Sequence, residues 1–332
     1  MSGPTGIAWT DATWNPVRGC TRVSEGCRNC YPEVISSRFS GPGQPFEGFA
    51  GSPRCYSSQA GYMKATGQRF GWTGRVELIP EKLSEPLRWR KPRRVFVNSM
   101  SDLFHEDLEP AGALQKVWDV MRRCPQHTFQ ILTKRAAGMK EAFDTVLSDD
   151  PLPNVWLGVS VEDQKTADER IPLLLEVPAA VRFVSYEPAL GPVDFRRILL
   201  KASDRPETGK PDVTVDPLVG WYGGAKDDER TRIDWLIVGG ESGPKARPCD
   251  VAWFRSVRDQ CLASGTPFFM KQKGALWYDT ERREGMKRSC VVSAMAMVSD
   301  WQWVSQKDRA GADPSEWPED LRVREFPEVS RG

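Results

Sequence analysis

Six short, mostly apolar runs, five of them containing β-branched residues, recur along the chain: Val95–Val97, Phe129–Leu132, Val155–Val161, Val181–Val184, Trp235–Val238 and Phe268–Met270. Their lengths suit strands buried on both faces of a parallel sheet. Between them the apolar positions change to a helical period. Leu114, Val117, Trp118 and Met121 form one such stripe, Met139, Phe143 and Val146 a second, and a third runs from Val251 to Leu262. This alternation predicts an α/β fold, a βαβ series with right-handed crossovers that closes into a partial or full parallel (β/α) barrel.

The residues that follow these runs are polar and specific. Val97 leads into Asn98, Ser99 and Asp102; Leu132 into Thr133, Lys134 and Arg135; Val159 into Ser160 and Glu162; Val184 into Ser185 and Glu187; and Val238 into Gly239-Gly240-Glu241. Parallel α/β folds bind ligands at the carboxyl ends of their strands. Helix caps would account for the Ser and Asp residues. They do not account for three strand-end glutamates, so a shared site is expected there.

Two stretches lack any period and are expected to be insertions, one over Gly41–Gly74 and one over Lys201–Arg232. Long loops of this kind in a compact domain are commonly lids, binding loops or disordered segments. After Gly274 the βα rhythm stops. The expected organisation is a barrel domain over 1–274 carrying the two insertions, followed by a C-terminal extension over 275–332 that packs across the barrel or stays partly mobile.

Bulk composition narrows the function classes only a little. Of 332 residues 39% are hydrophobic and 27% charged, an ordinary globular balance, and the net charge is +1. A neutral total neither requires nor excludes nucleic acid, since a local basic groove can sit within it. The dense basic run Arg88, Arg90, Lys91, Arg93, Arg94 reads first as a solvated face and second as a phosphate contact. Most of the 13 tryptophans are expected to fill core positions, with base stacking the alternative near basic residues. No apolar run approaches the ~20 residues a membrane span needs. The first residues carry no secretion signal, so the expected compartment is the cytoplasm.

Three of the eight cysteines crowd together in Asn15-Pro16-Val17-Arg18-Gly19-Cys20-Thr21-Arg22-Val23-Ser24-Glu25-Gly26-Cys27-Arg28-Asn29-Cys30-Tyr31, spaced C-x6-C-x2-C. In a cytosolic chain such a cluster points to a metal. Cys20, Cys27 and Cys30 are the expected ligands, and the scattered cysteines are expected to be ordinary buried thiols. A structural zinc site would want a fourth ligand at comparable spacing. The nearest candidates, Cys55 and His105, are isolated or distant. Three thiolates with an open position suit an iron–sulfur cluster that leaves one iron free for a ligand.

Asn-Pro-x-x-Gly-Cys followed by Cys-x-x-Cys-Tyr resembles the cluster loop of the radical S-adenosylmethionine superfamily, including its spore photoproduct lyase-like members. There the spacing is usually C-x3-C-x2-C and an aromatic residue precedes the last cysteine. Here six residues separate Cys20 from Cys27, Asn29 precedes Cys30, and the aromatic Tyr31 follows it. The chain is more similar still to an outlying, phage- and mobile-element-associated three-Cys-motif family. That likeness runs from about Trp9 to Gly274 outside the insertions. It includes Thr13-Trp14-Asn15-Pro16, the segment from Val95 to His105, Leu132–Arg135, Val155–Glu162, Glu187-Pro188, Gly239–Gly243 and Phe268–Gln272.

The resemblance implies a radical SAM-type barrel with the cluster loop after its first strand, and a [4Fe-4S] cluster and S-adenosyl-L-methionine as cofactors. It implies reductive cleavage of the sulfonium to a 5′-deoxyadenosyl radical that abstracts hydrogen from a substrate, which could be a nucleic-acid base or nucleotide. Tyr31, Asn98, Ser99, Asp102, Lys134, Ser160, Glu162 and Glu187 are the expected cofactor contacts. Ser160 and Glu162 suit the ribose hydroxyls, and Lys134 suits a carboxylate or phosphate. The late Gly239–Glu241 is too far along the chain to be the family's amino-group contact. A flavodoxin- or ferredoxin-type electron donor is implied, and a partner protein is allowed. The alternative class is a zinc- or cluster-stabilised, non-catalytic protein that binds nucleic acid or a partner.

Overall fold

The computed structural model of the chain describes residues 5–51, 71–108, 110–147, 151–201, 212–220, 232–286 and 302–328. Cys55, Cys290, residues 52–70 of the first expected insertion and residues 202–211 and 221–231 of the second lie outside the described residues. The fold is α/β, and its principal sheet has the strand order Ala12–Trp14, Arg94–Val97, Thr128–Thr133, Val155–Val161, Val181–Tyr186, Trp235–Gly239, Phe268–Gln272. Two compact units divide the chain, Met1–Leu157 with Pro178–Ala180, and Gly158–Val177 with Val181–Gly332.

The first unit contains β1 (Ala12–Trp14), β2 (Val17–Arg18), α1 (Tyr31–Arg38), β3 (Glu77–Leu78), the single turn α2 (Pro80–Leu83), β4 (Arg94–Val97), α3 (Gln115–Arg122), β5 (Thr128–Thr133) and α4 (Ala136–Thr145). β1 pairs in parallel with β4 (Thr13 opposite Phe96), and β4 pairs in parallel with β5 (Phe96 opposite Gln130). β2 and β3 form a short antiparallel pair. The apolar stripe of α3 is buried through Val117, Trp118, Val120 and Met121, and Trp118 meets Phe143 of α4 edge-on at 5.5 Å. Trp14 and Phe129 pack at 5.7 Å. The Asn154 amide donates to the carbonyls of Met121, in the last turn of α3, and of Cys124 and His127 in the turn that follows, which fastens the end of the helix.

β6 (Val155–Val161) starts in the first unit and ends in the second. The second unit continues with α5 (Gln164–Glu176), β7 (Val181–Tyr186), β8 (Ile198–Leu200), β9 (Val213–Val215), β10 (Trp235–Gly239), β11 (Cys249–Asp250), α6 (Val251–Ser264), β12 (Phe268–Gln272), β13 (Trp277–Asp279), β14 (Glu284–Met286) and β15 (Gln302–Val304). β7, β10 and β12 pair in parallel. α5 starts on a reciprocal capping box between Asp163 and Thr166. α6 starts on the Asp250 carboxylate and stops at left-handed Gly265.

All six expected strands are present, each within two residues at its ends. β1, the strand before the cysteines, is only three residues long. The described part of the extension packs along the second unit. Met270 N–H donates to Val323 O, and Glu325 N–H to Phe268 O, so this segment runs antiparallel along the outer edge of β12. Phe326 stacks against Trp235 and Phe269, each at 5.2 Å. Buried Arg255 of α6 holds Asp279 through two hydrogen bonds and also reaches Glu281 and Asp320. Among the described residues no helix is long and apolar enough to cross a membrane.

Candidate metal centre in the cysteine loop

The segment from Asn15 through β2, which leads into the cysteine loop, is stitched to the end of β4 by polar contacts, and Gly19 bridges Ser101. Asn15 Oδ1 accepts from Ser99 Oγ and from Met100 N–H, and Ser101 Oγ donates to Val17 O. Asn98 takes a left-handed backbone (φ 58°), which asparagine tolerates better than most residues, and its Oδ1 accepts from Val17 N–H at 3.3 Å. The Nδ2 of Asn98 is buried and has no partner among the described residues. Gly19 has φ 90°, and a Cβ there would fall 1.8 Å from the Arg75 carbonyl oxygen. Arg75, the residue just after the first insertion, therefore lies directly on the cysteine loop, with Phe49 of the insertion beside it.

Cys27 closes a 3-10 turn (Glu25–Cys27), and Cys30 stands at the N-terminal cap of α1. Tyr31, the first residue of that helix, donates its hydroxyl to Ser99 O at 2.9 Å. Glu33, one turn into α1, is buried and accepts from Arg22 (2.5 Å) and from Trp72 N–H (3.1 Å). The three thiols are near enough for their charges to act on one another. Burial pushes the Cys20 thiol up to about 12 and the Cys30 thiol up to about 11. The Glu33 amide and the Lys134 ammonium oppose this rise at Cys30, and the Arg135 guanidinium opposes it at Cys20.

The β5 end supplies the cations. Arg135 is buried and points Nη1 at Cys20 Sγ (3.8 Å), Nη2 at Thr21 Oγ1 (2.5 Å) and O (3.2 Å), and Nε at Glu106 (2.6 Å). Asp102 joins the ends of β4 and β5. Its carboxylate accepts from Thr133 Oγ1, Phe104 N–H and Lys134 N–H, and faces Arg135 at 3.5 Å. His105 sits within 2.8 Å of Thr21 Oγ1 through Nε2, and its Nδ1 accepts from Asp107 N–H. An accepting Nδ1 assigns the proton to Nε2. Burial and the Arg135 charge push His105 below its ordinary value, which agrees with a neutral ring.

Cys20, Cys27, Cys30, Tyr31, Asn98, Ser99, Asp102 and Lys134 thus share one region of the first unit. Ser160, Glu162 and Glu187 belong to the second unit. There Glu162 is buried, with Arg170 Nη1 within 3.2 Å of both its oxygens and 2.7 Å from Ser160 O. Glu187 accepts from Lys271 (2.6 Å) and from Gln272 (3.0 Å) at the ends of β7 and β12. Glu241 is held by Arg247. The basic run enters β4 at its N-terminal end, away from Asn98; Arg94 pairs with Asp11, and Arg93 lies over Trp89.

Among the described residues no three His, Cys, Asp or Glu side chains already stand in a metal-holding arrangement, so the thiols are neighbours rather than a closed ligand set. Cys124, Cys249 and Cys261 are buried and free, as expected of scattered thiols. Thr21 and Glu33 were not legible as site residues. Arg135 was expected at the β5 strand end beside Lys134, and the fold shows that it is Arg135 whose Nη1 reaches Cys20.

The sequence profile of one family, described as "Protein of unknown function (DUF5131)", matches residues 4–311. No curated protein and no solved structure matches the chain. A match over so much of its length places the chain in the DUF5131 family.

Proposed function

We propose that Cys20, Cys27 and Cys30 hold an iron–sulfur cluster with one iron open, on a radical SAM-type partial barrel, and that the protein is an enzyme using S-adenosylmethionine. The observation that carries this is three neighbouring, largely buried thiols that no fourth metal ligand joins among the described residues. The imidazole closest in sequence, His105, has both ring nitrogens engaged. Zinc in a structural site would call for that fourth donor.

The residues present fit the cofactors. The donor set is all sulfur, which suits iron–sulfur ligation. Lys134 and Arg135 place positive charge beside Cys30 and Cys20, where ligating thiolates would need it. The orphaned amide of Asn98 is a buried donor in want of an acceptor, and the carboxylate of an amino-acid-like cofactor is one. Tyr31 and Asn15 hold the Ser99 segment beside it. When bound, the cluster supplies the electron that cleaves the sulfonium, and the chain binds, orients and screens the reactants from water. A flavodoxin- or ferredoxin-type donor and a base- or nucleotide-like substrate belong to the same proposal.

Anaerobic reconstitution tests the ligand assignment. Wild-type protein should take up iron and sulfide and turn brown, while the Cys20→Ala, Cys27→Ala and Cys30→Ala variants should each lose most of the iron. Iron content unchanged across the three variants, or one equivalent of zinc bound in place of iron, would replace this proposal with a zinc-stabilised binding protein.

A further inference from the structure

Arg135 is the buried cation closest to the cysteines, and it is fixed from several sides. Thr21 receives Nη2 on both its hydroxyl and its carbonyl, and the neutral His105 donates its Nε2 proton to the same hydroxyl. Glu106 takes Nε, Asp102 lies 3.5 Å from Nη1, and Thr133 Oγ1 receives the Arg135 N–H. One Nη1 hydrogen is thereby left directed at Cys20 Sγ, 3.8 Å away. A guanidinium keeps its charge at every accessible pH, so it is a constant field on the sulfur.

We infer that Arg135 is a positioning residue that holds Cys20 in place and, through its fixed charge, sets how readily a cluster on these cysteines accepts an electron. This rests on the cluster assignment above. Reduction adds negative charge at the sulfurs, and hydrogen bonds and nearby charge are the protein's means of tuning that equilibrium. Arg135 favours the reduced form. Glu106, which binds its outer edge, weakens the effect.

The test is the midpoint potential of the reconstituted cluster, followed by the loss of its visible absorbance in a redox titration. Arg135→Gln should make reduction harder by about tenfold in the equilibrium, ~59 mV for one electron. Arg135→Lys should stay close to wild type. Glu106→Gln, a change on a side chain that is 64% exposed, should move the potential the opposite way and does not depend on Arg135→Gln folding. A potential unmoved by Glu106→Gln and by Arg135→Gln overturns the inference while leaving the cluster intact. Equal shifts in Arg135→Gln and Arg135→Lys also overturn it, because packing and not charge would then be the cause. Wild-type protein that takes up no iron fails the cluster assignment itself, and this inference with it.

Discussion

The carboxylate of Glu33 grips Arg22 at 2.5 Å and the Trp72 amide at 3.1 Å, so one buried side chain ties the cysteine loop, α1 and the end of the first insertion together. Its removal strands the Trp72 N–H and loosens Arg22, which is half exposed and so loses less. Glu33→Ala should therefore cost about 1–3 kcal/mol, the usual range for an orphaned buried partner. Urea unfolding measures the loss. Retained iron should fall as well, whereas Glu25→Ala on the exposed side of the loop should change neither.

Gly19 and Gly43 share a positive φ but not their surroundings. Nothing lies within 4 Å of a Cβ at Gly43, so Gly43→Ala should cost only the backbone penalty of about 1–2 kcal/mol. A Cβ at Gly19 collides with the Arg75 carbonyl, and Gly19→Ala should cost well beyond that and unseat the cysteine loop. Thermal unfolding of the two variants side by side decides the point. Equal losses would mean that the Arg75 carbonyl does not press on Gly19.

Lys273 is buried, with Nζ donating to Glu316 O at 2.5 Å and lying 4.0 Å over the Trp277 ring. Burial pushes its ammonium down to about 8 from an ordinary 10.5. Between those two values the unfolded chain keeps a proton that the folded chain has released, so the lysine's contribution to stability rises with pH across that window and is smallest below pH 8. The difference in unfolding free energy between wild type and Lys273→Met should therefore grow by roughly 2–3 kcal/mol between pH 8 and 10.5, at about 1.4 kcal/mol per unit. A flat difference across that range would contradict the assignment.

The sheet was legible because its strands are short, mostly apolar runs, Val95–Val97 and Trp235–Val238 most plainly, separated by stretches of helical period. The strand before the cysteines was not, since Ala12-Thr13-Trp14 is too short to show a period. Within the site, the cysteines announced themselves by spacing, and the β4 and β5 ends by polarity after an apolar run. The partners did not. Thr21 meets His105 across 84 positions and Arg135 across 114, and such pairings exist only once the chain is folded. Glu162 shows the converse. As a strand-end carboxylate it suits a ligand in the sequence, yet in the fold Arg170, two turns along the next helix, already holds both oxygens.

S-adenosylmethionine chemistry at the cysteine loop, as proposed, is tested most directly by the 5′-deoxyadenosine released when the reconstituted protein is incubated anaerobically with S-adenosylmethionine and dithionite. Wild type should form it and Cys27→Ala should not. Iron-loaded, reducible wild-type protein that forms none would rule that chemistry out and leave these cysteines a binding or electron-transfer role.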